Sequence, residues 1–213
     1  MSDSLYRDLP RARSQKDRVK NMMTIYNNNI EINDRNIMTM QHSFCVANAS
    51  LKISDKMNGI LDKNLSFIYG LNHDIGKFYL SKEEMYMHPR YGYNLFKKDD
   101  IDIANICVSH PFPSKDNFDY IMFYCHNDKN EAIEIYNILK DVDYNNDYVR
   151  LLQLCDKISG LDSYMTIDEK FEWYRKKSPV EIPACVLENH RILNDIKKYF
   201  DETTHTDIYS MLL

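Results

Sequence analysis

Glycine and proline are scarce, at five and six in 213 residues. That is too few for a turn-dense all-β architecture, so the chain is expected to be all-α. Cysteine is odd in number, and Cys45, Cys107, Cys125, Cys155 and Cys185 nowhere form a CxxC pair. Such usage argues against a disulfide framework and a structural zinc knuckle, and predicts reduced, mostly buried thiols. Long apolar runs are missing too. The longest, Tyr120 to Cys125, falls far short of the roughly 20 residues that cross a bilayer, and Met1 to Lys20 is polar with no apolar h-region. A soluble, cytoplasmic protein with no membrane contact is the expectation. Nor is there a basic excess: 27 Lys and Arg face 32 Asp and Glu, a net charge of −5. No long-range field draws the molecule toward nucleic acid, so any phosphate must be held locally.

What is present is a succession of helical stripes. A basic arm over residues 1–36 carries Val19, Met22, Met23 and Tyr26 at helical spacing, ending near Asn27. Ile37, Met40, Phe44, Ala47 and Leu51 predict a helix over 37–53 that contains His42. After the Asn58-Gly59 turn signal, Leu65, Phe67, Ile68 and Leu71 predict a second helix, delivering His73 and Asp74. Gly76 follows as a helix stop or a point of close approach, and Ser81 with Glu84 reads as a capping box. His88-Pro89 opens another helix, with Pro89 in its first turn. Ile101, Ala104, Cys107 and Val108 form one more, ending at His110 ahead of Pro111 and Pro113. Stripes over 130–141 and 148–161 follow, the latter holding Asp156, and a terminal amphipathic helix is predicted over 184–200.

The chain's chemistry gathers around Leu71-Asn72-His73-Asp74-Ile75-Gly76-Lys77, where an imidazole, a carboxylate, a glycine and an ammonium occupy five successive positions. A lone His-Asp doublet arises by chance in a chain of this composition. Singly, each His or Asp on a helix is ordinarily a surface, hydrogen-bonded or salt-bridged residue. Together, His42, His73, Asp74, His88, His110 and Asp156 are six possible ligands on or beside five predicted helices, a spread that suits a helical bundle with an internal metal site. Mixed imidazole and carboxylate donors suit Fe, Mn, Co, Ni or Zn better than Ca. A bound cation can lower the pKa of water from about 15.7 to about 7. That makes hydroxide available at neutral pH by roughly 12 kcal/mol, at about 1.36 per unit.

The order H…HD…H…H…D at these distances resembles the HD-domain superfamily of metal-dependent phosphohydrolases. His73-Asp74-Ile75-Gly76-Lys77 is similar to the HDIGK form of its motif, His88-Pro89-x-x-Gly92 to the helix that follows, and Leu154-Cys155-Asp156-Lys157-Ile158 to its closing segment. The resemblance spans residues 37–165, with helical extensions expected over 1–36 and, packed on the core, over 166–213. It implies that His42, His73, Asp74 and Asp156 hold one divalent transition-metal ion. Asp74 would bridge to a second ion completed by His88 and His110, as in the bacterial diadenosine-tetraphosphate hydrolase branch. It further implies hydrolysis of a phosphate ester or anhydride, in a nucleotide or similar phosphorylated small molecule, with Asp74 and Lys77 as catalytic residues. Lys77 and Arg90 are the candidate phosphate-binding side chains. One or two ions, and a homo-oligomer, remain open.

Two other readings stay open. The same ligand set in relatives similar to inositol oxygenase supports a di-iron centre that activates O₂, and a regulatory HD-domain protein would keep the fold without turnover. The cyclic-dinucleotide phosphodiesterase branch is disfavoured, because Ser109-His110-Pro111-Phe112-Pro113 stands where its GYP motif is expected. His126, His190 and His205 fall outside the pattern, and the aromatics Tyr86, Tyr91, Tyr93 and Phe96 are expected to pack rather than to stack on a base.

Overall fold

The computed structural model describes residues 33–177 and 181–213; the helical arm expected ahead of Asn27 lies outside them. Among the described residues the chain forms ten α-helices and no strand. They are α1 (Asp34–Asp55), α2 (Lys63–Asn72), α3 (His88–Phe96), α4 (Ile101–Ser109), α5 (Phe118–Tyr124), α6 (Lys129–Leu139), α7 (Asp147–Ile158), α8 (Ile167–Lys177), α9 (Ala184–Thr204) and α10 (Ile208–Leu212). Two short 3-10 turns, Ile75–Tyr79 and Met85–Met87, link α2 to α3.

With so little glycine and proline, Asn and Asp punctuate the chain. The side chain of Asp62 accepts from the amides of Asn64 and Leu65, Asp100 from Ile103, Asn117 from Tyr120, and Asn146 from Tyr148. Each satisfies an amide that a helix start leaves without an intrahelical partner. Asn33 does the same for α1, which therefore begins ahead of its apolar stripe. The Ser81 amide does donate to Glu84 Oε2 at 3.2 Å. Only a 3-10 turn follows it, because Pro89 suits a helix start and α3 opens there instead. Three helices escape the apolar periodicity: α5 over the 120–125 run, the strongly charged α8, and α10. The helix expected to be terminal continues past Phe200 to Thr204 and stops at His205, in the left-handed region at φ +52°.

The centre of the bundle is α7. Leu151, Leu152, Leu154, Cys155 and Ile158 have no exposed surface, and the helix packs against α1, α2, α4, α8 and α9. Each fully buried leucine contributes roughly 1.5–3 kcal/mol, so the helix carrying Asp156 is held from several sides. Leu193, Ile196, Phe200, Ile208 and Leu212 join the same apolar cluster; residues 181–213 are part of this core. All five thiols are free, and four of them are buried.

Helices α1 and α2, the pair that carries His42 and leads into His73, touch backbone to backbone. A Cβ on Gly70 would lie 2.6 Å from Ala47 Cα, so the close approach requires glycine. Gly70→Ala must therefore push the two helices apart. Thermal denaturation should show a loss of about 1–3 kcal/mol, the scale of an overpacked core, and an unchanged melting temperature would contradict this packing.

Candidate metal centre

Three of the site's four histidines are set by the end of a helical segment. His73 caps α2, His110 caps α4, and His88 follows the Met85–Met87 turn. At such ends the last carbonyls lack intrahelical donors, and the imidazoles use them. His73 Nδ1 lies 2.7 Å from Gly70 O, His88 Nδ1 2.8 Å from Met85 O, and His110 Nδ1 2.9 Å from Cys107 O, each three residues back. His42, inside α1, places Nδ1 3.0 Å from Gly160 O, in the turn after α7 that the Ser159–Tyr164 bridge closes. A carbonyl only accepts, so all four rings carry their hydrogen on Nδ1 and present Nε2 inward. That is the arrangement by which ligating histidines are oriented.

What the four Nε2 atoms meet is Asp74, which is fully buried and whose two oxygens divide them. Oδ1 is 3.0 Å from His88 Nε2 and 3.3 Å from His110 Nε2; Oδ2 is 3.4 Å from His73 Nε2 and 3.8 Å from His42 Nε2. Asp156 Oδ1 closes the second group, 3.0 Å from His42 Nε2 and 3.7 Å from His73 Nε2. His88 and His110 bring their Nε2 atoms to 3.2 Å of each other. Lone pairs on neutral imidazoles and carboxylates repel at such distances unless a cation or proton stands among them. His73 Nε2 and Asp74 Oδ1 are buried without a hydrogen-bond partner, which costs about 1–3 kcal/mol each if nothing else satisfies them. His42, His73 and Asp156, and likewise His73, Asp74 and His110, are close enough to hold a metal ion. The donor set fits a divalent transition metal.

The backbone enforces this closeness. Asp74 lies in the turn beyond α2, not in the helix that was expected to carry it, and Gly76 belongs to the following 3-10 turn. A Cβ at Gly76 would fall 2.2 Å from His88 O, so glycine there lets the Asp74 turn sit against the start of α3. Gln153, one turn before Asp156 on α7, donates to Ser109 O and Phe112 O and pins the turn that presents His110.

Five of these six residues line the floor of an open cleft of about 560 Å³, and His73 is buried behind them. Lys77 lines it, with Nζ 2.5 Å from Asp74 Oδ2. Arg90 does not line it: its guanidinium is forked on the buried Glu131, with Nε 2.9 Å from both carboxylate oxygens. The phosphate-binding candidate Arg90 thus lies outside the cleft lining, with Nε and Nη2 turned to an acid 41 residues away. Sequence reasoning missed Arg35, Lys157, Lys170, Tyr124 and Tyr174, all in the lining. Of these only Lys157 adjoins a motif. His126 sits in the turn after α5 against Tyr86, and His190 pairs with Asp168. Tyr91 stacks on Tyr79, and none of Tyr86, Tyr91, Tyr93 or Phe96 lines the cleft.

Burial opposes charge at His73, yet the adjoining charge of Asp74, with Asp156 behind it, lifts its pKa to about 9. Burial dominates at His110 and His88, taking His110 down to about 3 and His88 below its usual value. Burial would raise Asp74, but Lys77 and His73 hold it well below the carboxylate range; Asp156 is likewise held down by Lys157 and His42. In the metal-free site His73 thus keeps its second ring proton, where a cation would sit. A ligand must shed its proton to bind metal, so at pH 7 uptake should release about one proton, and apparent affinity should fall as pH drops below about 9. Calorimetry in buffers of different ionisation enthalpy counts that proton; uptake with no release would contradict the assignment.

Comparison with known proteins agrees with this geometry. No curated protein and no solved structure gives a significant match. The HD domain family model, however, matches residues 39–161, a segment that holds Asp74 and the five residues around it. HD domains are commonly metal-dependent hydrolases, and by this match over more than half its length the chain belongs to the HD domain family.

Proposed function

We propose that the protein is a metal-dependent phosphohydrolase acting on a phosphate ester or anhydride, a nucleotide by preference. One observation carries the reading: four inward Nε2 atoms converge on a single divided carboxylate at the floor of a cleft walled by lysine and arginine. In it, His42, His73, Asp156 and Asp74 Oδ2 would hold one ion, and His88, His110 and Asp74 Oδ1 a second. Bound divalent ions supply a water of lowered pKa and neutralise the non-bridging oxygens of a phosphoryl group.

The chain's own groups do the rest. Lys77, on the 3-10 turn directly after Asp74, is tied at Nζ to Oδ2 but keeps about a quarter of its side chain exposed in the cleft. It can therefore meet a phosphoryl oxygen as a compact point charge without leaving the carboxylate. Tyr124 places its hydroxyl 3.4 Å from His88 Nδ1, and burial pushes its pKa well above 10, so it faces the cleft as a neutral phenol. Positioning and charge neutralisation carry most of the catalysis of phosphoryl transfer, and no side-chain nucleophile is needed. Met38, Leu161 and Tyr174 stay exposed at the mouth, a surface on which the organic part of a substrate can rest.

Elemental analysis of freshly purified protein, paired with a phosphate-release screen over nucleoside mono-, di- and polyphosphates, tests this. Asp74→Ala should lose both the metal and the activity, by more than the roughly 10–100-fold that loss of an outer-shell partner costs. His88→Ala should lose one metal equivalent of two. Full metal content in Asp74→Ala would defeat the site, and two ions in His88→Ala would defeat its dinuclear form. Iron-dependent oxygen uptake without phosphate release would replace the reaction itself.

A further inference from the structure

Of the four carbonyls that anchor the site's imidazoles, Met85 O has the least support from its own surroundings. Gly70 O and Cys107 O, which anchor His73 and His110, belong to α2 and α4, helices of 10 and nine residues. Met85 O belongs to a 3-10 turn of three residues, none of them buried. A turn that short has too few internal bonds and too little packing to fix a ring by itself. Something outside it must hold it in place.

What lies outside is one corner of the chain. Between α5 and α6, His126 and Asn127 both take left-handed backbone, at φ +53° and +65°, and the two helices pack against each other across them. Four residues of this corner each meet the segment that carries His88. Tyr124 places its hydroxyl 3.4 Å from His88 Nδ1, and the His126 ring lies 5.4 Å from that of Tyr86. Asp128 caps α6 with Oδ1, which accepts from the amides of Asn130 and Glu131, and takes the Tyr86 hydroxyl on Oδ2 at 3.2 Å. Glu131, only 3% exposed, accepts from Nε and Nη2 of Arg90; such a charged fork fixes direction as well as distance. Tyr86 and Arg90 stand two residues before and two after His88, so the ring is clasped from both sides. The corner itself is anchored, since Ala132, Ile135 and Leu139 of α6 have no exposed surface. None of these contacts involves His42, His73 or Asp156.

We infer that Tyr86, Arg90, Asp128 and Glu131 are positioning residues for His88. They hold the Met85 turn so that the ring keeps its hydrogen on Nδ1 and its Nε2 toward Asp74, and thereby set the affinity of the ion beside His88 and His110 without changing that of the ion beside His42. The inference rests on the two-ion reading of the site.

Calorimetric titration of the metal-stripped full chain with Mn²⁺ tests it, together with long-range ¹H–¹⁵N NMR, which reads imidazole tautomers. Removing one partner of the fork would leave the other buried and unpaired, so Arg90→Met and Glu131→Leu are made together; Tyr86→Phe removes only a hydroxyl. In the double variant, the metal equivalent that His88→Ala abolishes should bind about tenfold weaker or more, as for loss of an outer-shell partner, with the other equivalent within about twofold of wild type. Tyr86→Phe should weaken the same equivalent by less. In the metal-free double variant His88 should show a mixture of tautomers while His110 keeps its hydrogen on Nδ1. Equal weakening of both equivalents, which a general loosening of the fold would give, overturns the inference, as does no change in either. If the double variant does not fold, Tyr86→Phe decides by the same split. A wild type that takes up fewer than two ions brings down the two-ion reading instead, and the clasp then stands or falls with the His88 tautomer.

Discussion

A buried carboxylate between four imidazoles is the constraint on which the molecule is arranged. Asp74 has no exposed surface, and an isolated carboxylate in such a place would neutralise or destabilise the fold. Here it is held charged by Lys77 on one oxygen and by the field of His73, while its other oxygen looks toward His88 and His110. The electrostatics close only with positive charge at the centre of the cluster. In the metal-free protein that charge is the proton of His73; a metal ion would supply more of it in the same place.

Helix ends do the holding. Three of the four rings are anchored to a carbonyl three residues back, where a helix or turn runs out of internal donors, and the fourth to the turn beyond α7. The same groups that would otherwise need water at each terminus orient the ligands, so folding and site assembly are one process. Close backbone contacts at Gly70 and Gly76 bring those ends together. The buried α7 supplies Asp156 directly and steadies His110 through Gln153.

Most of the site's floor was legible in the sequence because the order and distances of His42, His73-Asp74, His88, His110 and Asp156 resemble the HD-domain pattern. The helical fold was legible in the apolar stripes of most of the segments that carry them. The carbonyls that set the tautomers were not, since backbone partners leave no mark on side-chain identity. The pairing of Arg90 with Glu131 was not legible, because nothing local to His88 reveals an acid 41 residues away. Lys170 and Tyr174 were missed because α8 is charged along its length and lacks the periodicity that announces a packed helix. Arg35 precedes the first apolar stripe, and its bond to Leu80 O spans 45 residues of sequence.

Anomalous diffraction from crystals of the protein grown with its native metal, recorded at that metal's absorption edge, tests the central claim most directly. The account predicts density on both sides of Asp74, one peak among His42, His73 and Asp156 and another beside His88 and His110. A fully loaded protein whose anomalous peaks lie elsewhere on the molecule, with the six side chains bonded only to one another, would contradict it.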